Sequence, residues 1–131
     1  MEDSLFTKII KGEIPSHKIY EDEKTFAFLN IHPATEGHVL VIPKAQVEFV
    51  WDLEPEDHHA LMETVQKVAR RLREVMDAPY VGEMIVGVGV PHAHVHLIPF
   101  DNPVEMKSEL DSPTGEPDHE KLARVAEKIR F

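Results

Sequence analysis

The chain has 131 residues, 42% hydrophobic and 29% charged, the composition of an ordinary soluble globular protein long enough for one domain with a sizeable core. Its formal net charge of −10 argues against broad nucleic-acid binding, which needs a basic footprint. The lack of cysteine excludes disulfides, thiolate metal sites and a cysteine nucleophile.

The opening Met1-Glu2-Asp3-Ser4 has neither the basic start nor the apolar stretch of a signal peptide. No apolar run approaches the ~20 residues that span a bilayer. A cytoplasmic protein with no membrane partner is expected. Ser4 to Lys11 predicts a short helix, with Ser4 as N-cap, Gly12 just past the end and Phe6, Ile9 and Ile10 on its apolar side. Lys18–Glu21 and Thr25–Leu29 predict two strands joined as a hairpin. Proline and glycine make a loop of Asn30 to Gly37, and His38–Ile42 reads as a buried central strand closed by Pro43. Trp51 to Pro55 is a connector. Pro55 suits a first helical position, and Leu61, Val65, Val68, Leu72 and Val75 form a 4-3-4-3 stripe that predicts the longest helix, ending at Met76 or Asp77.

Pro79 and Gly82 punctuate the helix exit, Met84-Ile85-Val86 predicts a strand, and Gly87-Val88-Gly89 a tight turn. That turn lacks a third glycine and a following helix, so it is no dinucleotide fingerprint, and no cofactor is expected. His92 to Pro99 predicts the next strand. Ser112-Pro113-Thr114-Gly115 marks an irregular tail, and Asp118 to Phe131 a last helix with Leu122, Val125, Ala126 and Ile129 on one side. Strands that pair locally and helices that do not alternate with them predict an α+β fold: a five-stranded antiparallel sheet with one long and one or two short helices. The whole of residues 1–131 is expected to be one domain, with its core over about 4–100 and a tail and helix over about 101–131.

The stretch His92-Ala93-His94-Val95-His96 carries the chemistry. On a strand, side chains alternate faces, so the three imidazoles would share one face, the outer two about 13 Å apart at roughly 3.3 Å per residue. Three uses compete. They are structural, hydrogen-bonded at a sheet surface. Or they bind a metal, for which one ion could take at most two of them and would need a further ligand such as His38. Or a neutral imidazole attacks phosphorus, with its neighbours fixing its tautomer and stabilising phosphoryl oxygens.

His-x-His-x-His followed by two apolar residues resembles the signature of the histidine triad (HIT) family of nucleotide hydrolases and transferases. Phe6 to Pro15, Tyr20 to Glu23, Ala27 to Pro33 and Gly37 to Lys44 also resemble that family, in order, over roughly residues 4–100. The resemblance implies cleavage at the α-phosphate of a purine nucleoside phosphoramidate or dinucleoside polyphosphate through a covalent nucleotidyl-histidine. His94 would be the nucleophile and His96 would contact the phosphoryl oxygens. His92 and His38 would form the relay that sets the tautomer of His94. Phe6, Ile9, Phe28 and Ile31 would hold the base, and Asn30, where relatives usually have aspartate, the ribose. It also implies a homodimer with joined sheets, as in the nucleotide-binding (Hint-like) branch. The alternatives are a nucleotide-binding module with little turnover, or a histidine-ligated metal enzyme.

The departures from that family are specific. Two cysteines that help hold a structural zinc in many relatives are Ser4 and Thr7 here, and a further histidine ligand is Gln46, so no metal is expected. The loop before the triad, Val86-Gly87-Val88-Gly89-Val90-Pro91, is shorter than usual and has no polar side chain, which leaves leaving-group protonation to water, the substrate amine or another histidine.

Overall fold

The computed structural model describes residues 2–105 and 115–131. The tail expected over Ser112 to Thr114 lies outside the described residues. Five antiparallel strands form one sheet in the order β1-β2-β3-β5-β4, where β1 is Lys18–Glu21, β2 Thr25–Leu29, β3 Val39–Pro43, β4 Tyr80–Met84 and β5 Val95–Phe100. Helices α1 (Leu5–Ile10), α2 (Pro55–Val75) and α3 (His119–Ile129) complete it.

Strand alternation divides the sheet into two unlike faces. Ala27 and Leu29 of β2, Val39 and Val41 of β3, and Val95 and Leu97 of β5 point to the larger core. There they meet Leu61, Val65, Val68 and Leu72 of α2 and Leu122, Val125, Ala126 and Ile129 of α3. Each fully buried leucine or valine is worth roughly 1.5–3 kcal/mol. On the other face Phe26, Phe28, Leu40 and Ile42 meet the short α1, through Phe6 and Ile9, with Ile14 and Val90 packed at the side. The register places His96 opposite Leu40, on this thinly covered second face.

Local chemistry explains the helix limits. The Ser4 hydroxyl accepts from the Thr7 amide at 3.0 Å and starts α1, and Gly12 takes φ +80° just past its end. Pro55 opens α2, and Asp118 caps α3 by accepting from the Lys121 amide at 3.1 Å.

Two strand limits differ from the pattern. β5 begins at Val95, not His92. Extending the β3–β5 register would place Ala93 opposite Pro43, which has no N–H for the ladder. The Ala93 amide bonds to the Val47 carbonyl instead, at 2.7 Å. β4 occupies Tyr80–Met84, earlier than expected, because it pairs with the far end of β5, Tyr80 opposite Phe100. Gly82 lies inside it, tolerated on an edge strand.

Candidate active site

His38 immediately precedes β3 and His96 is the second residue of β5, and the two rings meet across that pair of central strands. The Ala34 amide donates to Nδ1 of His38 at 3.0 Å. A neutral imidazole that accepts at one nitrogen carries its proton on the other. His38 therefore donates from Nε2 to Nδ1 of His96, 3.0 Å away. His96 in turn carries its own proton on Nε2. Burial, with His96 beside it, brings the pKa of His38 down to about 3, and burial with His94 beside it brings His96 to about 4. Both are neutral at pH 7.

His94 has the opposite tautomer. Its Nδ1 lies 2.7 Å from the carbonyl oxygen of His92, which only accepts, so Nδ1 carries the proton and Nε2 carries a lone pair. Among the described residues no buried side-chain nitrogen or oxygen lacks a partner, and Nε2 of His94 has none, so that atom is at the accessible surface. Burial lowers the pKa of His94, partly opposed by the bond to the His92 carbonyl. The ring is thus a neutral base with its lone pair outward, 5.2 Å from His96 between centroids.

The relay divides differently from the expectation. His38 sets the tautomer of His96, not of His94. His92 acts on His94 through its main-chain carbonyl, while its own ring, wholly buried, donates from Nε2 to the Pro43 carbonyl at 2.8 Å and accepts at Nδ1 from Ser4 Oγ at 2.7 Å. Of the three histidines only His96 lies within β5; His92 and His94 precede it, and both rings pack against Phe6.

Phe6, Ile9 and Phe28 are brought together beside the histidines. The Phe6 ring stands edge-on to Phe28, His92 and His94 at 5.4, 5.8 and 5.2 Å. Ile31 does not join them: it lines a separate cavity of about 230 Å³ between the 33–37 loop and α3. Asn30 has its carboxamide oxygen engaged by the His32 amide at 2.9 Å, so Nδ2 is the group it can offer a ligand.

The HIT domain model matches residues 11–102. The chain belongs to the HIT family. A Bacillus subtilis relative, "Protein hit", is 40% identical over 103 residues, 75% of this chain and 71% of its own. An adenosine 5'-monophosphoramidase from Candida albicans is 34% identical over 136 residues, 96% of this chain and 88% of its own. A crystal structure of a HIT-like protein from Bartonella henselae superposes with a TM-score of 0.84 at 31% identity, covering 99% of this chain and 98% of that one.

At the positions where many HIT relatives hold zinc, this chain has a hydrogen-bonded set of neutral groups. Thr7 Oγ1 donates to Gln46 Oε1 at 2.6 Å, and the Ser4 amide donates to the same oxygen at 2.8 Å. Hydroxyls and an amide oxygen committed to one another do not fit zinc, which takes thiolate, imidazole and carboxylate. Among the described residues no three of His, Asp or Glu are grouped to hold a metal ion. The sequence marked Ser4 as a helix cap and Ser4, Thr7 and Gln46 as lost ligands, but carried no signal for the contacts of Ser4 and Thr7 with His92. No helix among the described residues is long and apolar enough to cross a membrane.

Proposed function

We propose that this HIT protein hydrolyses a purine nucleoside phosphoramidate, adenosine 5'-phosphoramidate as the type substrate, through a covalent nucleotidyl-histidine on His94. The observation that carries the reading is the tautomer of His94: a neutral ring whose outward Nε2 bears the lone pair. In the first step Nε2 bonds to the α-phosphorus and the P–N bond to the leaving group breaks. The leaving nitrogen takes its proton from solvent or arrives with it, since the 86–91 loop holds no acidic side chain. Positive charge develops on the imidazole as the bond forms, and the His92 carbonyl at Nδ1 is placed to stabilise it more in the transition state than before. The Nε2–H of His96 is the donor for a phosphoryl oxygen. In the second step water attacks phosphorus, the P–N bond to His94 breaks, and the nucleoside monophosphate leaves.

Phe6, Ile9 and Phe28 provide an apolar wall for the base, and Asn30 Nδ2 a donor for the ribose. The phosphoramidase names of relatives at about a third identity support the substrate class. We place the protein in the cytoplasm, as a homodimer whose sheets join along β4, one of the two edge strands.

The test is turnover of adenosine 5'-phosphoramidate by the wild type and by His94→Asn, with rapid acid-free quench to trap phosphorus on His94. Loss of turnover in the variant with retained AMP binding supports the reading; full activity sinks it. The bare 86–91 loop favours one other reading, a nucleotide-binding module, and AMP binding without wild-type turnover would establish it.

A further inference from the structure

The four residues Ser4, Thr7, Gln46 and His92 hold one another in one hydrogen-bonded set, in which the Ser4 hydroxyl proton has two acceptors in reach, Nδ1 of His92 at 2.7 Å and Thr7 Oγ1 at 3.2 Å, the first the shorter. The Pro43 carbonyl takes the Nε2–H of His92, so Nδ1 must accept. Ser4 Oγ, 2.7 Å from it, is the donor, and that same oxygen accepts from the Thr7 amide. The Thr7 hydroxyl spends its proton on Gln46 Oε1, so at 3.3 Å from His92 Nδ1 it is no rival to Ser4. Gln46 Nε2 donates to the Glu2 carbonyl at 2.8 Å. The next residue, Val47, accepts from the Ala93 amide at 2.7 Å. That amide shares its peptide with the His92 carbonyl on which His94 Nδ1 rests. Ser4 is 6% exposed and His92 not at all, so water is a poor substitute for any of these partners.

We propose that Ser4, backed by Thr7 and Gln46, is a positioning residue for His94: its hydroxyl proton holds the His92 ring on Pro43 and so keeps the His92 carbonyl as the acceptor that selects the reactive tautomer. The proposal rests on His94 as the nucleophile. Without the Ser4 proton the buried lone pair on Nδ1 of His92 is left without its donor, a cost the ring relieves by turning toward the Thr7 hydroxyl, 3.3 Å away. The ring moves off Pro43 and takes its own carbonyl with it. His94 is then free to carry its proton on Nε2, where it cannot attack.

Three substitutions separate this from a plain structural role. Ser4→Ala removes both the helix cap and the proton. Ser4→Asp keeps a good cap but brings a carboxylate, which accepts and never donates. Ser4→Thr keeps both. The readouts are kcat and KM on adenosine 5'-phosphoramidate, a pH–rate profile, and the ring-nitrogen NMR spectrum of His92 and His94. Ser4→Ala and Ser4→Asp are expected to lower kcat about ten- to hundredfold with KM within about twofold. Ser4→Thr restores it. The Asp variant also adds an inflection to the pH profile: the carboxylate raises the pKa of His92, below which the ring carries both protons and keeps Nε2–H on Pro43, so its loss of kcat and its spectral change appear above that pKa. In both impaired variants the His94 spectrum moves toward Nε2–H.

A Ser4→Asp protein with wild-type kcat, or with an unchanged His94 spectrum, at every pH across the profile overturns the proposal. Should Ser4→Ala not fold, the Asp and Thr pair decides. If the wild type itself shows no turnover, the nucleophile reading fails, and the ring-nitrogen spectra still decide whether Ser4 controls the tautomer of His94.

Discussion

Acid should unfold this protein sooner than its many carboxylates suggest, because of its buried neutral histidines. In the unfolded chain His38 and His96 titrate near pH 6.5; folded, they titrate at about 3 and about 4. The folded values lie below the unfolded ones. As pH falls, the unfolded chain therefore binds protons first, and stability falls with it. The contribution is complete above about pH 7, declines from about 6.5, and stops declining only near 4 for His96 and 3 for His38. Between pH 7 and 5 each such group costs about 2 kcal/mol, so the pair costs about 4, against the 5–15 kcal/mol of a typical domain. His92 and His94, also lowered by burial, act in the same sense. Urea unfolding at pH 7, 6 and 5 measures the loss, and His38→Gln isolates one share of it. The glutamine amide can donate to His96 Nδ1 and accept from the Ala34 amide as the imidazole does. It does not titrate, so the slope between pH 6 and 5 should fall by about 1 kcal/mol per pH unit. A wild-type stability that is flat from pH 7 to 5, or equal slopes in the two proteins, would refute the argument.

Phe6→Ala should cost about 3–5 kcal/mol in urea unfolding and raise KM for adenosine 5'-phosphoramidate, since Phe6 is buried and edge-on to His94; a loss of under about 1 kcal/mol would mean the second face is not a packed core. Gly37→Ala should destabilise by at least about 1 kcal/mol in the same assay, because φ is +92° and the added carbon would lie 3.1 Å from Pro99 Cγ and 3.2 Å from Met76 Cγ. Dialysis against EDTA should change neither the melting temperature nor the turnover; loss of either on chelation, with recovery on adding metal, would restore the metal reading.

The long elements were legible because their patterns are redundant. The stripe through Leu61, Val65, Val68 and Leu72 has one periodic explanation, and four of its members are buried in the core. β3 is five buried residues in a row, closed by a proline at the expected place. β4 was illegible because it is an edge strand with no fully buried residue and a glycine at its centre. At the site, the pattern pointed to His92, His94 and His96 but not to how they differ. Period-two spacing treats them as equivalent, but the β3–β5 ladder ends at Val95, so only His96 of the three is held in the sheet. The groups that set the tautomers are the Ala34 amide and the His92 and Pro43 carbonyls, and main-chain atoms have no letter in a sequence. The Ser4–His92 contact joins residues 88 apart, beyond any local pattern.

That main-chain origin has a chemical consequence. In the mechanism proposed above His94 needs a bare Nε2 to attack and His96 a protonated Nε2 to donate, although the two rings are the same chemical group 5.2 Å apart. Free imidazole mixes its tautomers, and a mixture would leave each ring in the wrong form for part of the time. Here exchanging the proton of His94 would leave a bare nitrogen against the His92 carbonyl, and reversing His96 would require reversing His38 against the Ala34 amide as well. Leaving a buried polar group unsatisfied costs about 1–3 kcal/mol, a factor of roughly 5 to 150 against the wrong form. Each ring is thereby kept mostly in its useful state before substrate arrives. The selection acts through the backbone, so it persists whatever side chains stand in the loop ahead of the triad. On that proposal a chain with the bare Val86–Pro91 loop keeps its nucleophile while lacking an acid for its leaving group, and substrates that bring their own proton are the ones expected to turn over.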